Sequence, residues 1–340
     1  MEERIYQAAL AGLLHDIGKV ARRSTNTLWN PPGDAAGNGQ SVDAAWTIEF
    51  IRRCVPERYQ PAALAGGNHL DPEKSPTEFI QLSRLVALAD LLSAGELVDR
   101  EEKRSRPQLL SIFDRIDTNQ NKSAVINVHY LPLHALQLSR EVIFPDELTL
   151  NDDQAGESYD DLRSNLEREL GEPIDDPQLY IENILGGLQR ATWCVPSAYY
   201  HSIPDVSLYD HSRMTAALAV CLADKPDDEI KAMTDAIQRD YAGQKVDADQ
   251  QLLDEPVTLL IGGDISGIQK FIYTISSRKA AKTLRGRSFY LQLLTEAVLR
   301  YVLKELGLPY TNVIYSGGGH FFLLAPLSAK EKLPGIRVLS

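Results

Sequence analysis

The sequence predicts an α+β protein with an all-helical N-terminal region, a mixed connecting region and a small C-terminal domain that contains strands. Apolar residues recur at helical spacing from the start of the chain, beginning with Ile5, Ala9 and Leu13. After Pro256 the pattern changes to short apolar strands, a long amphipathic helix and glycine-rich turns. These observations divide the chain into residues 1–100, 101–255 and 256–340.

Composition limits the class of protein. The 340 residues, 44% hydrophobic and 24% charged, suffice for two domains with separate cores. A net charge of -12 argues against a protein that coats nucleic acid, so any polynucleotide contact must be a local basic patch. Cys54, Cys194 and Cys221 are widely separated and lack a CxxC pair, which disfavours disulfides and a cysteine zinc site and favours a cytoplasmic location. We expect no export signal and no membrane anchor, because no apolar stretch is long enough.

The first hundred residues are expected to form helices separated by glycine and proline. Gly18 is a stop signal for the first helix, and Gly66-Gly67 break another helix just before Asn68-His69. A loop rich in Gly, Asn and Pro is expected at residues 25–39. The predicted helices cover a first segment that ends at residue 16, residues 41–54, a segment that starts after residue 61, and a long segment from about residue 77.

The rest of the chain is expected to be less regular until the sheet domain begins. Residues 101–255 mix strand-like runs such as 124–128 with an acidic segment, 146–176, and one clear helix, 214–222. The C-terminal elements are predicted at residues 258–261 (strand), 288–306 (helix), 312–315 and 320–324 (hairpin). This order matches the first three quarters of a ferredoxin-like βαββαβ unit, and we expect the unit to be incomplete at Ser340.

One group of residues has the composition of a metal site: His15-Asp16, His69 and Asp90. Both aspartates share a helical stripe with apolar residues, and a buried carboxylate requires a partner. Imidazole and carboxylate together suit Mn, Fe, Co or Ni as well as Zn, and a bound metal activates water for phosphodiester hydrolysis. The alternative is that the histidines are merely packed and the acids cap helices or pair with nearby arginines: Arg22, Arg23 and Arg84.

These segments resemble one protein family. Residues 13–19, Leu-Leu-His-Asp-Ile-Gly-Lys, are similar to the HD-superfamily motif, and the large subunit of type III CRISPR effector complexes also carries this doublet near its N-terminus. Further similarities to that subunit follow in order at residues 87–95, 207–217, 263–269, 284–290 and 315–321. An HD doublet alone is weak evidence, whereas this ordered set is specific. The chain therefore resembles the N-terminal half of the type III-A large subunit.

The resemblance implies an HD nuclease domain that cleaves single-stranded DNA with manganese, nickel or cobalt. It implies that the metal ligands are His15, Asp16, His69 and Asp90. Asp16 would anchor the metal, and Lys19 would neutralise substrate phosphate.

The chain departs from the family beside one of these ligands. The family usually carries two adjacent histidines where this sequence has Asn68-His69, so a second metal stays an open question. His211 is an alternative ligand in a permuted HD domain, although an exposed position at a helix start is the preferred interpretation.

The resemblance also implies a truncated Palm domain that binds ATP with magnesium, as half of a cyclic oligoadenylate synthase. The candidate nucleotide-binding residues are Asp264, Ser266, Gly267, Gly317, Gly318, Gly319 and His320. Glycines and a histidine stand where a catalytic hairpin would carry acids, which favours binding without catalysis. The alternative is a simple tight turn.

A basic cluster follows the first Palm strand: Arg278, Lys279, Lys282, Arg285 and Arg287. It would bind ATP phosphates or a guide-RNA backbone, or form a solvated helix face. The expected partners are other subunits of the effector complex, guide and target RNA indirectly, single-stranded DNA and ATP, with no membrane. Two other functions stay open: a stand-alone HD phosphohydrolase acting on nucleotides, and a scaffold subunit with a decayed HD site.

Overall fold

The computed structural model combines many helices with one small sheet, which confirms the α+β class. It describes residues 2–25, 41–94, 106–116, 128–198, 204–244, 246–273 and 280–336. The N-terminal helices are α1 (Glu2–Leu14), α2 (Gly18–Arg23), α3 (Val42–Cys54), α4 (Gln60–Gly67) and α5 (Ile80–Ala94). The predicted loop at residues 25–39 falls, after Thr25, outside the described residues, as do residues 124–127 of the predicted strand-like run.

The described part of the connecting region consists of helices joined by loops with isolated β-bridges. Its helices are α6 (Arg140–Ile143), α7 (Asp152–Leu170), α8 (Pro177–Thr192), α9 (Leu208–Leu222), α10 (Asp227–Tyr241) and α11 (Asp247–Leu253). The acidic segment forms α7, because its charges occupy the outer face while Tyr159, Leu162 and Leu166 are fully buried. Helices α7, α8, α9 and α10 share a hydrophobic core with α1 and α5.

The C-terminal part builds one antiparallel sheet among the described residues. Its elements are β1 (Leu259–Asp264), α12 (Ile268–Tyr273), α13 (Ala280–Leu306), β2 (Val313–Gly317), β3 (His320–Ala325) and α14 (Ala329–Lys332). The strand order is β1-β3-β2, and β3 is antiparallel to both neighbours. β1 and β2 therefore run in the same direction. The register pairs Asp264 with His320 at the end of the sheet that carries the hairpin turn.

Helix α9 joins the helical part to the sheet. On one side it packs against α1, where Gly12 permits close approach: a Cβ there would lie 2.5 Å from the Cα of Ala216. On the other side Arg213 Nη2 donates to Ile314 O at 3.0 Å. Asn312 Nδ2 donates to Leu324 O at 2.9 Å and to Ala217 O at 3.3 Å.

Two helices begin earlier than the sequence pattern predicts. α9 starts at Leu208 because the Ser207 side chain caps it, accepting a hydrogen bond from Asp210 N at 3.0 Å. α13 starts at Ala280 and continues through Gly286, a residue that weakens a helix without breaking it. Within the described residues, no helix has both the length and the apolar character that a membrane crossing requires.

Candidate functional site

Five side chains from four segments of the chain meet in the helical part. His15 and Asp16 follow α1, His69 follows α4, Asp90 lies in α5 and His211 lies in the first turn of α9. The most accessible is Asp90, whose side chain is 19% exposed, while that of His15 is fully buried. The cluster is therefore enclosed by protein and reaches solvent mainly at Asp90.

The ring nitrogens of the three histidines face the carboxylate oxygens. Asp90 Oδ1 lies 3.0 Å from His211 Nε2 and 3.4 Å from His15 Nε2, and Asp90 Oδ2 lies 3.7 Å from His69 Nε2. Asp16 Oδ2 lies 3.5 Å from His15 Nε2 and 3.8 Å from His211 Nε2. Each ring thus directs its Nε2 atom toward the same space.

The opposite ring nitrogens of two histidines are held by main-chain carbonyls. His15 Nδ1 donates to Gly12 O at 2.8 Å, and His69 Nδ1 donates to Gly66 O at 2.8 Å. A carbonyl oxygen only accepts, so both Nδ1 atoms carry hydrogen and the neutral rings keep the Nε2 lone pair. This is the tautomer in which a histidine can bind a metal through Nε2.

Burial and charge act against each other in the cluster. Burial opposes ionisation of Asp90, but its contacts with His15 and His211 outweigh burial and hold the pKa of Asp90 well below its usual range. Burial lowers the pKa of His15, but Asp16 and Asp90 outweigh it, so this pKa is raised. For His69, burial and the neighbouring His15 lower the pKa. Two ionised acids thus concentrate negative charge beside three imidazoles.

The donor set fits a divalent transition metal. Ligand atoms fall into two groups, His15 with Asp90 and His211, and His15 with Asp16 and His69; within each, the atoms lie within 4.8 Å of one another. Imidazole nitrogens mixed with carboxylate oxygens suit Mn, Fe, Co, Ni or Zn. His15 belongs to both groups and would therefore be a ligand of a metal ion bound by either group.

The Lys19 ammonium forms hydrogen bonds with two groups of the protein. Its Nζ donates to Asp16 Oδ2 at 2.6 Å and to Ser197 O at 2.8 Å, and its side chain is 12% exposed. Burial lowers the pKa of Lys19, but Asp16 outweighs burial and the pKa is raised. The ammonium therefore stays charged and orients Asp16. A phosphate-binding role for Lys19 remains a prediction.

The structure brings together all four predicted ligands and adds His211, for which an exposed position was the preferred interpretation. That interpretation is wrong: His211 is 7% exposed, because its stripe on α9 continues through Thr215, Leu218 and Leu222, all buried. This apolar stripe was the sequence signal for a buried histidine. Asn68 ends α4, where its backbone N–H donates to Leu64 O at 3.1 Å.

The predicted nucleotide-binding residues meet at one end of the sheet. The turn after β1, with Ser266 and Gly267, approaches the β2–β3 turn through a hydrogen bond from Ile265 N to Gly319 O of 2.9 Å. Gly318 and Gly319 have φ values of 61° and 86°, which favour glycine. The β2–β3 turn itself joins Gly317 to His320.

Asp264 and His320 are in contact at this exposed end of the sheet. His320 Nδ1 lies 2.8 Å from Asp264 Oδ1, and the side chains are 55% and 58% exposed respectively. The Asp264 carboxylate is therefore within reach of a ligand that approaches from solvent, with an imidazole beside it.

Part of the predicted basic cluster lies on α13. Lys282 and Arg285 are exposed, whereas Arg287 turns toward α12, where it donates to Phe271 O and lies 5.1 Å from the centre of that ring. Arg278 and Lys279 lie outside the described residues.

Comparison with known proteins identifies relatives along nearly the whole chain. The model of the family "Csm1 subunit domain B" matches residues 257–337. The single-strand-specific deoxyribonuclease Cas10/Csm1 (subtype III-A) of Methanocaldococcus jannaschii is 32% identical over an alignment that covers 93% of this chain and 40% of that protein. This chain thus spans about two fifths of that relative's length.

Solved structures agree with this relationship. Csm1 of T. onnurineus is 25% identical with a TM-score of 0.66 and covers 99% of this chain, over 42% of its own length. A Csm1–Csm4 cassette in complex with one ATP is 26% identical with a TM-score of 0.62, covering 98% of this chain and 41% of that chain. The resemblance seen in the ordered motifs is therefore confirmed, and the chain is related over nearly all its length to the Cas10/Csm1 proteins of subtype III-A CRISPR systems.

Proposed function

We propose that this chain carries an HD-type, metal-dependent nuclease centre for single-stranded DNA and forms part of a type III-A large subunit. The observation that carries the proposal is the convergence of three imidazole Nε2 atoms and two carboxylates in an enclosed cluster. The relative that is 32% identical is named a single-strand-specific deoxyribonuclease, which supports single-stranded DNA as the substrate class.

The ligands would be His15, Asp16, His69, Asp90 and His211. A bound Mn²⁺, Ni²⁺ or Co²⁺ would supply an activated water and polarise the scissile phosphoryl group. Asp16 is held in place by the Lys19 ammonium 2.6 Å away. Asp90 faces the solvent-accessible side, where a phosphodiester would approach.

Metal content and cleavage test this centre. The wild-type chain, stripped and reloaded with Mn²⁺, should cleave single-stranded DNA, and His15→Ala should lose both metal and cleavage because His15 belongs to both ligand groups. His134→Ala is the matched control, since that exposed ring bonds its neighbour's carbonyl at Ala135. Cleavage that survives His15→Ala would contradict the proposal.

The alternatives give different results in the same assay. A scaffold subunit with a decayed site would take up no transition metal. A stand-alone phosphohydrolase acting on nucleotides would prefer nucleotides to DNA. Two observations speak against that second alternative: the cluster draws His211 from outside residues 1–100, and residues 257–337 match a Csm1 domain.

We further propose that residues 256–340 belong to a Palm domain that binds ATP with magnesium. The order β1-β3-β2, with α12 and α13 between the two parallel strands, is that of a split βαβ unit in ferredoxin-like folds. Asp264, Ser266 and Gly267 adjoin the glycine turn of residues 317–319, whose amides can approach a phosphate closely. The Csm1–Csm4 cassette solved with one ATP supports this ligand.

Nucleotide binding and product formation test the second site separately. Gly318→Val should weaken ATP binding, because valine does not adopt the φ of 61° without strain. Gly286→Ala is the control, since a Cβ there meets open space. The chain alone should make no cyclic oligoadenylate, because its hairpin lacks acids to hold a second metal. Cyclic product from the isolated chain with ATP and magnesium would refute this.

Association with other effector subunits is the last part of the proposal. Leu260, Tyr315 and Phe322 on the sheet are 65%, 53% and 43% exposed, and such apolar surfaces favour partners. The relative solved with Csm4 supports this class of partner. Guide RNA is part of the proposal as an indirect partner only. Sedimentation with and without a fragment that corresponds to the part of the relative beyond the matched 40% should show complex formation. A monomer unaffected by that fragment, with a well-protected sheet in hydrogen exchange, would contradict the proposal.

A further inference from the structure

We propose that Ser93 is a positioning residue for the candidate metal centre. Its hydroxyl accepts the Nδ1 proton of His211 and so reserves His211 Nε2 for a metal. The inference rests on the proposed function, because the metal is the ligand for which that nitrogen would be reserved. Ser93 lies in α5, one turn after Asp90.

Three hydrogen bonds converge on the Ser93 hydroxyl. Its Oγ lies 3.1 Å from Asp90 O, 3.1 Å from His211 Nδ1 and 2.8 Å from Thr215 Oγ1. Asp90 O is a main-chain carbonyl on the same helix, whereas His211 and Thr215 lie one turn apart on α9. Ser93 therefore connects the two helices that carry Asp90 and His211.

Only one distribution of protons satisfies all three contacts. Asp90 O cannot donate, so the single Ser93 hydroxyl proton must point to it. The Ser93 oxygen then has two lone pairs left, which accept from Thr215 Oγ1–H and from His211 Nδ1–H. His211 Nδ1 is thereby protonated, and the neutral ring keeps the Nε2 lone pair. In the metal-free cluster a proton on Nε2 would instead satisfy Asp90 Oδ1 at 3.0 Å or His15 Nε2 at 3.2 Å, so the Ser93 contact competes with these two acceptors.

His211 depends on a side-chain acceptor for its Nδ1 proton, whereas the other two histidines have main-chain acceptors. His15 and His69 donate from Nδ1 to carbonyls three residues earlier in their own segments, Gly12 and Gly66. The ring of His211 instead points across to α5, and its Nε2 lies 3.0 Å from Asp90 Oδ1. Without Ser93, the carboxylate would favour a proton on Nε2, which blocks that nitrogen as a ligand.

Ser93→Ala in the full chain tests the inference. Imidazole ¹⁵N NMR of the metal-free protein should show His211 shifting from the Nδ1–H toward the Nε2–H tautomer. Calorimetric titration with Mn²⁺ should show affinity falling by about tenfold or more, the scale expected when an outer hydrogen-bond partner of a metal ligand is lost. Ser93→Thr keeps the hydroxyl and should recover most of the affinity.

Ser83→Ala is the matched control on the same helix. The Ser83 hydroxyl bonds Ser75 Oγ at 2.6 Å and Phe79 O at 3.3 Å, away from the histidines, so its loss should change neither the tautomer nor the affinity. An unchanged His211 tautomer and an unchanged Mn²⁺ affinity in Ser93→Ala would overturn the inference. If the wild type bound no Mn²⁺, the metal centre itself would fail, whereas the tautomer measurement in metal-free protein would still decide the role of Ser93.

Discussion

Replacing Asp16 by alanine should destabilise the metal-free protein, quite apart from any effect on catalysis. The Lys19 ammonium lies 2.6 Å from Asp16 Oδ2, and the two side chains are 12% and 9% exposed. Asp16→Ala would leave that cation buried without its counterion. Removal of one partner from a buried pair costs about 3–5 kcal/mol.

The structure places the expected cost at the lower end of this range. Lys19 keeps a second acceptor, Ser197 O at 2.8 Å. Burial opposes ionisation of Asp16, but Lys19, His15 and His69 outweigh it and the pKa of Asp16 is lowered; loss of Asp16 also relieves its smaller repulsion with Asp90. We therefore expect about 3 kcal/mol for Asp16→Ala, and a smaller cost for the double variant with Lys19→Met, which removes the stranded charge.

A double-mutant cycle measures this coupling. The wild type, the two single variants and the double variant are unfolded in urea. EDTA is present, so that bound metal makes no contribution to stability. Coupling of at least about 1.5 kcal/mol is expected for a buried pair in contact. Single effects that add to within about 0.5 kcal/mol would refute the reasoning. A loss of nuclease activity in Asp16→Ala alone would then reflect stability as well as chemistry.

Three further predictions concern other parts of the molecule. Gly263→Ala should destabilise the sheet by about 1–3 kcal/mol, because its Cβ would lie 2.2 Å from the buried Phe321 ring; thermal unfolding with Gly286→Ala as control measures this. Arg300→Ala should lower the free energy of unfolding by about 1 kcal/mol or less, since the Arg300 side chain is 47% exposed. High salt should reduce this difference, which urea midpoints measure. The pKa of Asp114 is lowered by hydrogen bonding from a neighbouring main-chain N–H, so its stabilising effect is present above its unfolded pKa near 3.8 and is lost in acid. The stability difference between wild type and Asp114→Asn should therefore shrink between about pH 6 and pH 3, and a constant difference would contradict this.

Local pattern was sufficient for much of the fold. The stripe through Ile5, Ala9 and Leu13 predicted α1, and glycines bounded the hairpin, because both signals depend on residues close in sequence. α9 starts early because the Ser207 side chain caps it. The periodicity of apolar residues, from which the helix was predicted, contains no information about such a polar cap. In the mixed connecting region the acidic segment was not predicted to form α7, because its many acids conceal a fully buried stripe.

The candidate metal cluster was only partly predictable. His15, Asp16, His69 and Asp90 were found by motif, but the partners of each carboxylate depend on how distant helices pack. His211 lies 196 residues from His15, and its ring approaches the cluster only because α9 packs against α1 and α5. The hydrogen bond from its Nδ1 to Ser93 spans 118 residues and has no local signature.

The distance along the chain between His15 and His211 also has a consequence for biosynthesis. A ribosome must add all the residues that separate the two histidines before the last imidazole of the cluster exists. α9 must then leave the exit tunnel and dock against α1 before its first turn reaches Asp90. Nascent chains released before α9 is made would lack His211, so premature termination would yield fragments with an incomplete cluster of histidines and carboxylates.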